Sequence, residues 1–123
     1  MTGKLLLVDD SGLARRGMRT ILESAGFEVI EATDGIVALE QYFLEKPDVV
    51  ILDLVMKGMY GLEVLTKLRE MDPAVRVIVV SADVQESSQR LVHEAGASGF
   101  LTKPVDRTRV LNLVQEVIEG RPA

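Results

Sequence analysis

The chain has 123 residues, 47% hydrophobic and 27% charged, and a net charge of −5 from 14 Lys+Arg against 19 Asp+Glu. That length fits one domain, residues 1–123, with a real hydrophobic core, and the composition argues against disorder. An acidic chain lacks the basic face that gripping nucleic acid requires, and with no cysteine it has neither a disulfide framework nor thiolate chemistry. The opening "MTGKLLLVDD" meets charge after the apolar Leu5 to Val8, a run too short for a signal-peptide core or a membrane span. The expectation is a soluble cytoplasmic protein.

Short apolar runs alternate with longer segments of helical period. Leu5 to Val8 predicts a first strand, and a helix follows from about Ser11 to Ala25, with Leu13, Ala14, Met18, Ile21, Leu22 and Ala25 on one stripe and Gly26 as its stop. Val29-Ile30 predicts a short second strand, Ile36 to Leu44 a second helix, and Val49 to Leu52 a third strand. Leu62, Leu65, Leu68 and Met71 mark a third helix, and Val75 to Val80 a fourth strand. Gln85 to Ala95, with only Leu91, Val92 and Ala95 as apolar contacts, is the least amphipathic helix. Phe100-Leu101 is a short fifth strand, and Asp106 is placed to cap a last helix carrying Val110, Leu113, Val114, Val117 and Ile118. Five strand–helix units in regular alternation mean an α/β fold, a parallel sheet with helices on both faces and right-handed crossovers. Residues 120–123 read as a frayed tail or the start of a linker.

The chemistry lies where the strands end. The first strand runs into Asp9-Asp10, the third into Asp53, the fourth into Ser81, and the fifth is followed by Thr102-Lys103-Pro104. Open α/β sheets bind ligands outside the carboxyl ends of their strands, near the point where strand order reverses. In the flavodoxin-like order 2-1-3-4-5, three carboxylates, a hydroxyl and an ammonium converge on one edge, while the second strand contributes nothing comparable. Asp9, Asp10 and Asp53 outweigh Lys103, so a hard divalent cation with oxygen ligands balances the edge, and Mg²⁺ is one. His93 is the lone histidine, which serves zinc or iron poorly. A carboxylate can also act as a nucleophile and become an aspartyl phosphate, supported by metal and lysine at the phosphate oxygens.

At these residues the sequence resembles a response-regulator receiver domain of two-component signalling, of the single-domain chemotaxis type. The matching pieces are "LLVDD" (Leu6 to Asp10), "ILDLVM" (Ile51 to Met56), "VVSA" (Val79 to Ala82) and "FLTKP" (Phe100 to Pro104). The resemblance implies a doubly wound five-stranded sheet in the order 2-1-3-4-5 with five helices. It implies that Asp53 accepts a phosphoryl group from a histidine kinase. Asp10 binds Mg²⁺ directly, Asp9 does so mainly through water, and Asp53 and the backbone carbonyl of Val55 complete the protein's share of the metal site. Lys103 pairs with the phosphoryl oxygens, Ser81 shifts to hydrogen-bond them, and Phe100 turns inward as Ser81 moves. Ala82 leaves room for the phosphodonor, and the bond from Lys103 to Pro104 is cis. The fourth helix, fifth strand and fifth helix form the output face toward a protein partner or a fused output domain. The family also implies a monomer or a weak phosphorylation-dependent dimer that catalyses only its own phosphorylation and dephosphorylation.

The chain departs from the family pattern at Lys57, where proline is usual, and at Tyr60, where a small polar or acidic residue usually precedes the glycine. Those departures keep a second reading open, a pseudo-receiver that binds partners without phosphorylation. A third, a phosphatase of the haloacid dehalogenase type, requires a second aspartate two residues after the nucleophile, where this chain has Val55. Neither G-x-x-x-x-G-K-[ST] nor G-x-G-x-x-G occurs, which argues against nucleotide enzymes. His93 reads as a solvent-facing helix residue. Arg15, Arg16 and Arg19 read as a solvated helix face, Met18, Met56, Met59 and Met71 as core or core rim, and Asp9 or Asp10 as possible caps of the first helix.

Overall fold

Apolar runs become strands here because they are buried from both sides. The computed structural model describes residues 2–56, 58, 60–83 and 85–120. In chain order the elements are β1 (Lys4–Val8), α1 (Gly12–Ser24), β2 (Glu28–Ala32), α2 (Gly35–Glu45), β3 (Val49–Asp53), α3 (Gly61–Met71), β4 (Val77–Ser81), α4 (Glu86–Glu94), β5 (Gly99–Thr102) and α5 (Arg107–Ile118). The strands form one parallel sheet in the order β2-β1-β3-β4-β5. This is the doubly wound order implied by the resemblance.

Period-two alternation splits the core into two layers. Leu6, Val8, Val50, Leu52, Val77 and Val79 point toward α2, α3 and α4, where Tyr42, Leu65, Leu68 and Val92 meet them. Leu5, Leu7, Val49, Ile51, Ile78 and Val80 point toward α1 and α5, against Met18, Leu22, Val110 and Val114. Tyr42 lies at the rim of the first layer and donates its hydroxyl to Asp72 Oδ2 at 2.7 Å, tying α2 to the end of α3. Burial, reinforced by that carboxylate, pushes the Tyr42 phenol well above its ordinary range.

Local caps set several helix starts. Ser11 Oγ accepts from Ala14 N–H, Asp34 from Val37 N–H, and Asp106 from Arg109 N–H. The cap of α1 is therefore Ser11, not Asp9 or Asp10. α3 and α4 begin at Tyr60 and Gln85 without a side-chain cap bond.

Strand bounds shift from the apolar runs because ladder pairing, not apolarity, sets where each strand begins and ends. β2 and β5 are longer than expected, β3 takes in Asp53, and β4 starts at Val77 rather than Val75. The α1 stripe needs one correction: Leu13 is 78% exposed, because it sits on the first turn, beside the strand ends where the sheet gives out. Leu91 is 55% exposed, leaving Val92 as the buried residue of α4. Met71, at the last turn of α3, is exposed too, whereas Met18 and Met56 are buried. The expectations for Lys57, for Met59 and for the tail beyond residue 120 lie outside the described residues.

The two ends of the α1 stripe should therefore respond differently to truncation. Leu22→Ala should cost about 2–5 kcal/mol of unfolding free energy, while Leu13→Ala should stay within about 0.5 kcal/mol. Urea denaturation of both variants checks this, and equal costs would place Leu13 back in the core.

Candidate functional site

The sheet ladder runs one step past the apolar residues and so fixes where the polar ones begin. Asp9 N–H bonds Ala32 O at 3.2 Å, Leu54 N–H bonds Val80 O at 2.9 Å, and Lys103 N–H bonds Ser81 O at 2.9 Å. Alternation then sorts them by face. Asp9 follows Leu5 and Leu7, Asp53 follows Val49 and Ile51, and Lys103 follows Leu101; all of these apolar residues pack toward α1 and α5. Ser81 follows Val77 and Val79, which pack toward the opposite side.

The result is a tight ionic cluster. Carboxylate oxygens of Asp9, Asp10 and Asp53 lie within 4.8 Å of one another. Lys103 Nζ stands 3.4 Å from Asp53 Oδ1 and 3.8 Å from Asp9 Oδ2. Asp53 is only 8% exposed, more enclosed than a residue merely at the outer end of its strand. Burial first, then the negative charge of Asp9, pushes its carboxyl above the usual aspartate range; Lys103 and the Val55 N–H oppose the rise without cancelling it. Asp9 is buried beside it, with Oδ1 accepting from Ser11 N–H at 2.8 Å, while Asp10 is exposed. Val55 is exposed on the loop after β3.

The other residues of interest divide between two grooves. Ala82 and Pro104 are exposed and, with Leu13, line an apolar groove of about 580 Å³ that reaches Asp53 and Lys103. The bond from Lys103 to Pro104 is cis, as the resemblance implies. Phe100 is half-buried, packs against the α2–α4 side of the core, and lines a groove of about 1070 Å³ between α4, β5 and α5. His93 is exposed, as expected, at the edge of that groove. Ser81 is buried; its carbonyl accepts from Lys103 N–H, and its Oγ accepts from Asp83 N–H at 3.0 Å.

Several features here escaped the sequence reading. The Asp83 carboxylate accepts from Ser88 Oγ at 2.6 Å and from Gln85 N–H at 2.9 Å, which holds it below the usual carboxylate range and ties Ser81 to the first turn of α4. Arg15 and Arg19 are not a solvated face, because both bond Glu31 of β2. Burial alone works against ionising Glu31, yet the Arg19 and Arg15 bonds outweigh it and hold the carboxyl low. Neither contact carries a periodic signal, since each joins residues on different elements. Gly61 had a partial signal as the glycine opening α3. A Cβ there would meet Asp53 O at 2.6 Å and Leu54 Cα at 2.7 Å, and Gly61 N–H bonds Leu54 O at 2.8 Å.

The donor set suits a hard divalent cation. Every candidate ligand atom is oxygen, and three carboxylates share one small volume, with Lys103 beside two of them.

The family model for the response regulator receiver domain matches residues 5–115. This chain belongs to the response regulator receiver family. It is 36% identical over 118 residues to the chemotaxis protein CheY of Thermotoga maritima, covering 95% of this chain and 98% of that one. Among solved structures it is similar to a LuxR-family two-component response regulator of Aurantimonas, with a TM-score of 0.94, 32% identity, and coverage of 100% of this chain and 89% of that one. It is also similar to the structure of a CheX–CheY–BeF3–Mg²⁺ complex from Borrelia burgdorferi, with a TM-score of 0.89, 36% identity, and coverage of 93% and 87%. Among the described residues of this receiver domain, no helix is long and apolar enough to cross a membrane.

Two outcomes follow from the receiver's site geometry. Gly61→Ala should destabilise by about 1–3 kcal/mol, because the clash is with backbone and not with a yielding side chain; chemical denaturation measures it, and an unchanged midpoint would show that α3 can back away freely. The raised pKa of Asp53 means that the folded state holds this proton more tightly than the unfolded chain. Its stabilising contribution is therefore present at acid pH and lost as pH rises from the ordinary aspartate range through the raised value. Asp53→Asn removes that dependence, so without divalent cations its stability advantage over wild type should grow as pH rises above about 4. Thermal melts across pH check this, and a flat difference would contradict it.

Proposed function

We propose that this receiver accepts a phosphoryl group on Asp53 from the phosphohistidine of a cytoplasmic histidine kinase, with Mg²⁺. The observation that carries this reading is the enclosed Asp53 carboxylate, with Asp9 and Asp10 grouped around it and Lys103 Nζ at 3.4 Å. The presence of Mg²⁺ in the related Borrelia complex supports the choice of cation.

Asp10 would hold the cation directly and Asp9 mainly through water, with Asp53 and the Val55 carbonyl as further ligands. When bound, Mg²⁺ supplies neutralisation of charge on the phosphoryl oxygens. A carboxylate oxygen of Asp53 forms the new P–O bond as the P–N bond to the donor histidine breaks, and the electron pair returns to the imidazole nitrogen, which takes a proton. Lys103 already leans on Asp53 and is placed to follow the negative charge onto the phosphoryl oxygens. The groove past Ala82 and Pro104 gives a donor access from the exposed side. Hydrolysis of the acyl phosphate by water breaks the P–O bond to Asp53, releases inorganic phosphate and returns the free carboxylate, so the domain acts on itself.

Ser81 is the residue that would report the change. Its Oγ accepts from Asp83 N–H, which leaves the hydroxyl hydrogen free to be donated to a phosphoryl oxygen, and Phe100 on the neighbouring strand lines the α4–β5–α5 groove that would face a protein partner or a fused output domain.

Wild type incubated with a small phosphodonor such as acetyl phosphate and Mg²⁺ should gain one phosphoryl group by intact mass, and lose it with time. Asp53→Asn, or removal of Mg²⁺ with EDTA, should abolish the gain. Uptake by the Asn variant would refute Asp53 as acceptor, and no uptake by wild type would favour the pseudo-receiver reading.

A further inference from the structure

The sequence places Arg15 in a run of arginines with no assigned task, yet its side chain is only 18% exposed. Its Nε donates to Glu31 Oε1 at 2.9 Å and its Nη1 donates to the backbone carbonyl of Asp9 at 2.8 Å. That carbonyl belongs to the peptide joining Asp9 to Asp10. Because a peptide unit is planar, fixing its carbonyl also fixes its N–H and the direction in which the chain leaves toward the Asp10 Cα.

The brace has depth. Glu31 is gripped from the next turn of α1 by Arg19, which also pairs with Glu23 at 3.2 Å. Asp9 meanwhile is held at its N–H by Ala32 O and at its carboxylate by Ser11 N–H. Arg15 therefore closes the last open side of the Asp9 backbone, using a guanidinium whose planar fork serves an acid and a carbonyl at once.

We infer that Arg15 is a positioning residue for the acidic pair, setting the Asp9–Asp10 peptide so that both carboxylates meet Asp53 at one cation. This rests on the Mg²⁺ reading of the site. The direction of the effect separates it from plain electrostatics. A guanidinium bonded to the Asp9 carbonyl stands near the acidic cluster and repels an incoming cation, so deleting its charge alone would tighten Mg²⁺ binding. A positioning role makes the same deletion weaken it. Supporting partners of this kind typically shift metal affinity by about 10–100-fold.

Isothermal titration of the full chain with MgCl₂ tests this without reference to phosphorylation. Arg15→Gln should raise the Mg²⁺ Kd about 10-fold or more, whereas Arg16→Gln, which deletes the same charge from the exposed neighbour, should leave it unchanged or slightly lower. Arg15→Lys keeps the charge but not the fork, and should stay closer to the Gln variant than to wild type. Glu31→Gln should weaken binding in the same direction even though Arg15 itself remains, and it covers the case in which Arg15→Gln does not fold by thermal melt. A Kd for Arg15→Gln equal to or below that of Arg16→Gln, or full rescue by Lys, would overturn the inference while leaving the metal site standing. Failure of wild type to bind Mg²⁺ at all would overturn the metal site itself, and the inference with it.

Discussion

Asp53 ends a strand whose other residues are all apolar, and its carboxylate lies almost wholly out of solvent beside that of Asp9. Burial and like charge both oppose its ionisation. An isolated anion in that position would be too costly to keep. It is tolerated because Lys103 reaches it from the loop after β5 and the Val55 N–H points at it from the loop after β3. Lys103 in turn is delivered by its own N–H bond to Ser81 O. The sheet thus fixes the backbone from which the compensating charge reaches out, and the strand order that brings β3, β4 and β5 together becomes a condition for the carboxylate to exist there.

The compensation is incomplete. The Asp53 carboxyl stays above the usual aspartate range even with Lys103 beside it, because burial and the charge of Asp9 outweigh the ammonium. Packing elsewhere carries that burden, through two apolar layers in which the central strands are buried on both faces. On the proposed reading, a cation that offset these carboxylates would stabilise the folded chain, so binding and folding stability would be coupled through the same few atoms.

Much of this was legible in the chain because it rests on local rules. Apolar runs bounded by charge, the alternation of short and long periods, and the Asp106 cap are one-dimensional signals, and the residues after each run named the site. Parity along the strands explains why Asp9, Asp53 and Lys103 meet: each stands an even number of steps from residues packed toward α1 and α5. Where the reading failed, the cause was three-dimensional. Leu13 has helical spacing but lies beyond the sheet that would cover it. Arg15 and Arg19 look solvated until β2 brings Glu31 alongside α1. The need for Gly61 is set by the backbone of Asp53 and Leu54, which no pattern around residue 61 records.

Parity also divides the work between the two faces of the sheet. The ion pair lies on the α1–α5 side, whereas Ser81 and Phe100 continue the alternation toward α2, α3 and α4. On the proposed reading, a charge placed on Asp53 must be sensed across the sheet edge, and Ser81 is a buried polar group at the end of the adjoining β4. Its present partner is Asp83, whose carboxylate bonds the first turn of α4, a helix with no side-chain bond from its own N-cap residue. α4 buries Val92 alone, so few apolar contacts resist its movement. A Ser81 side chain that moved toward a phosphoryl oxygen far enough to part from Asp83 N–H would remove one of the ties between α4 and the sheet, at a helix with only Val92 buried. The weak helix and the enclosed carboxylate are thus linked through Ser81: one concentrates unfavourable charge, and the other is the part of the fold least able to resist a change in it.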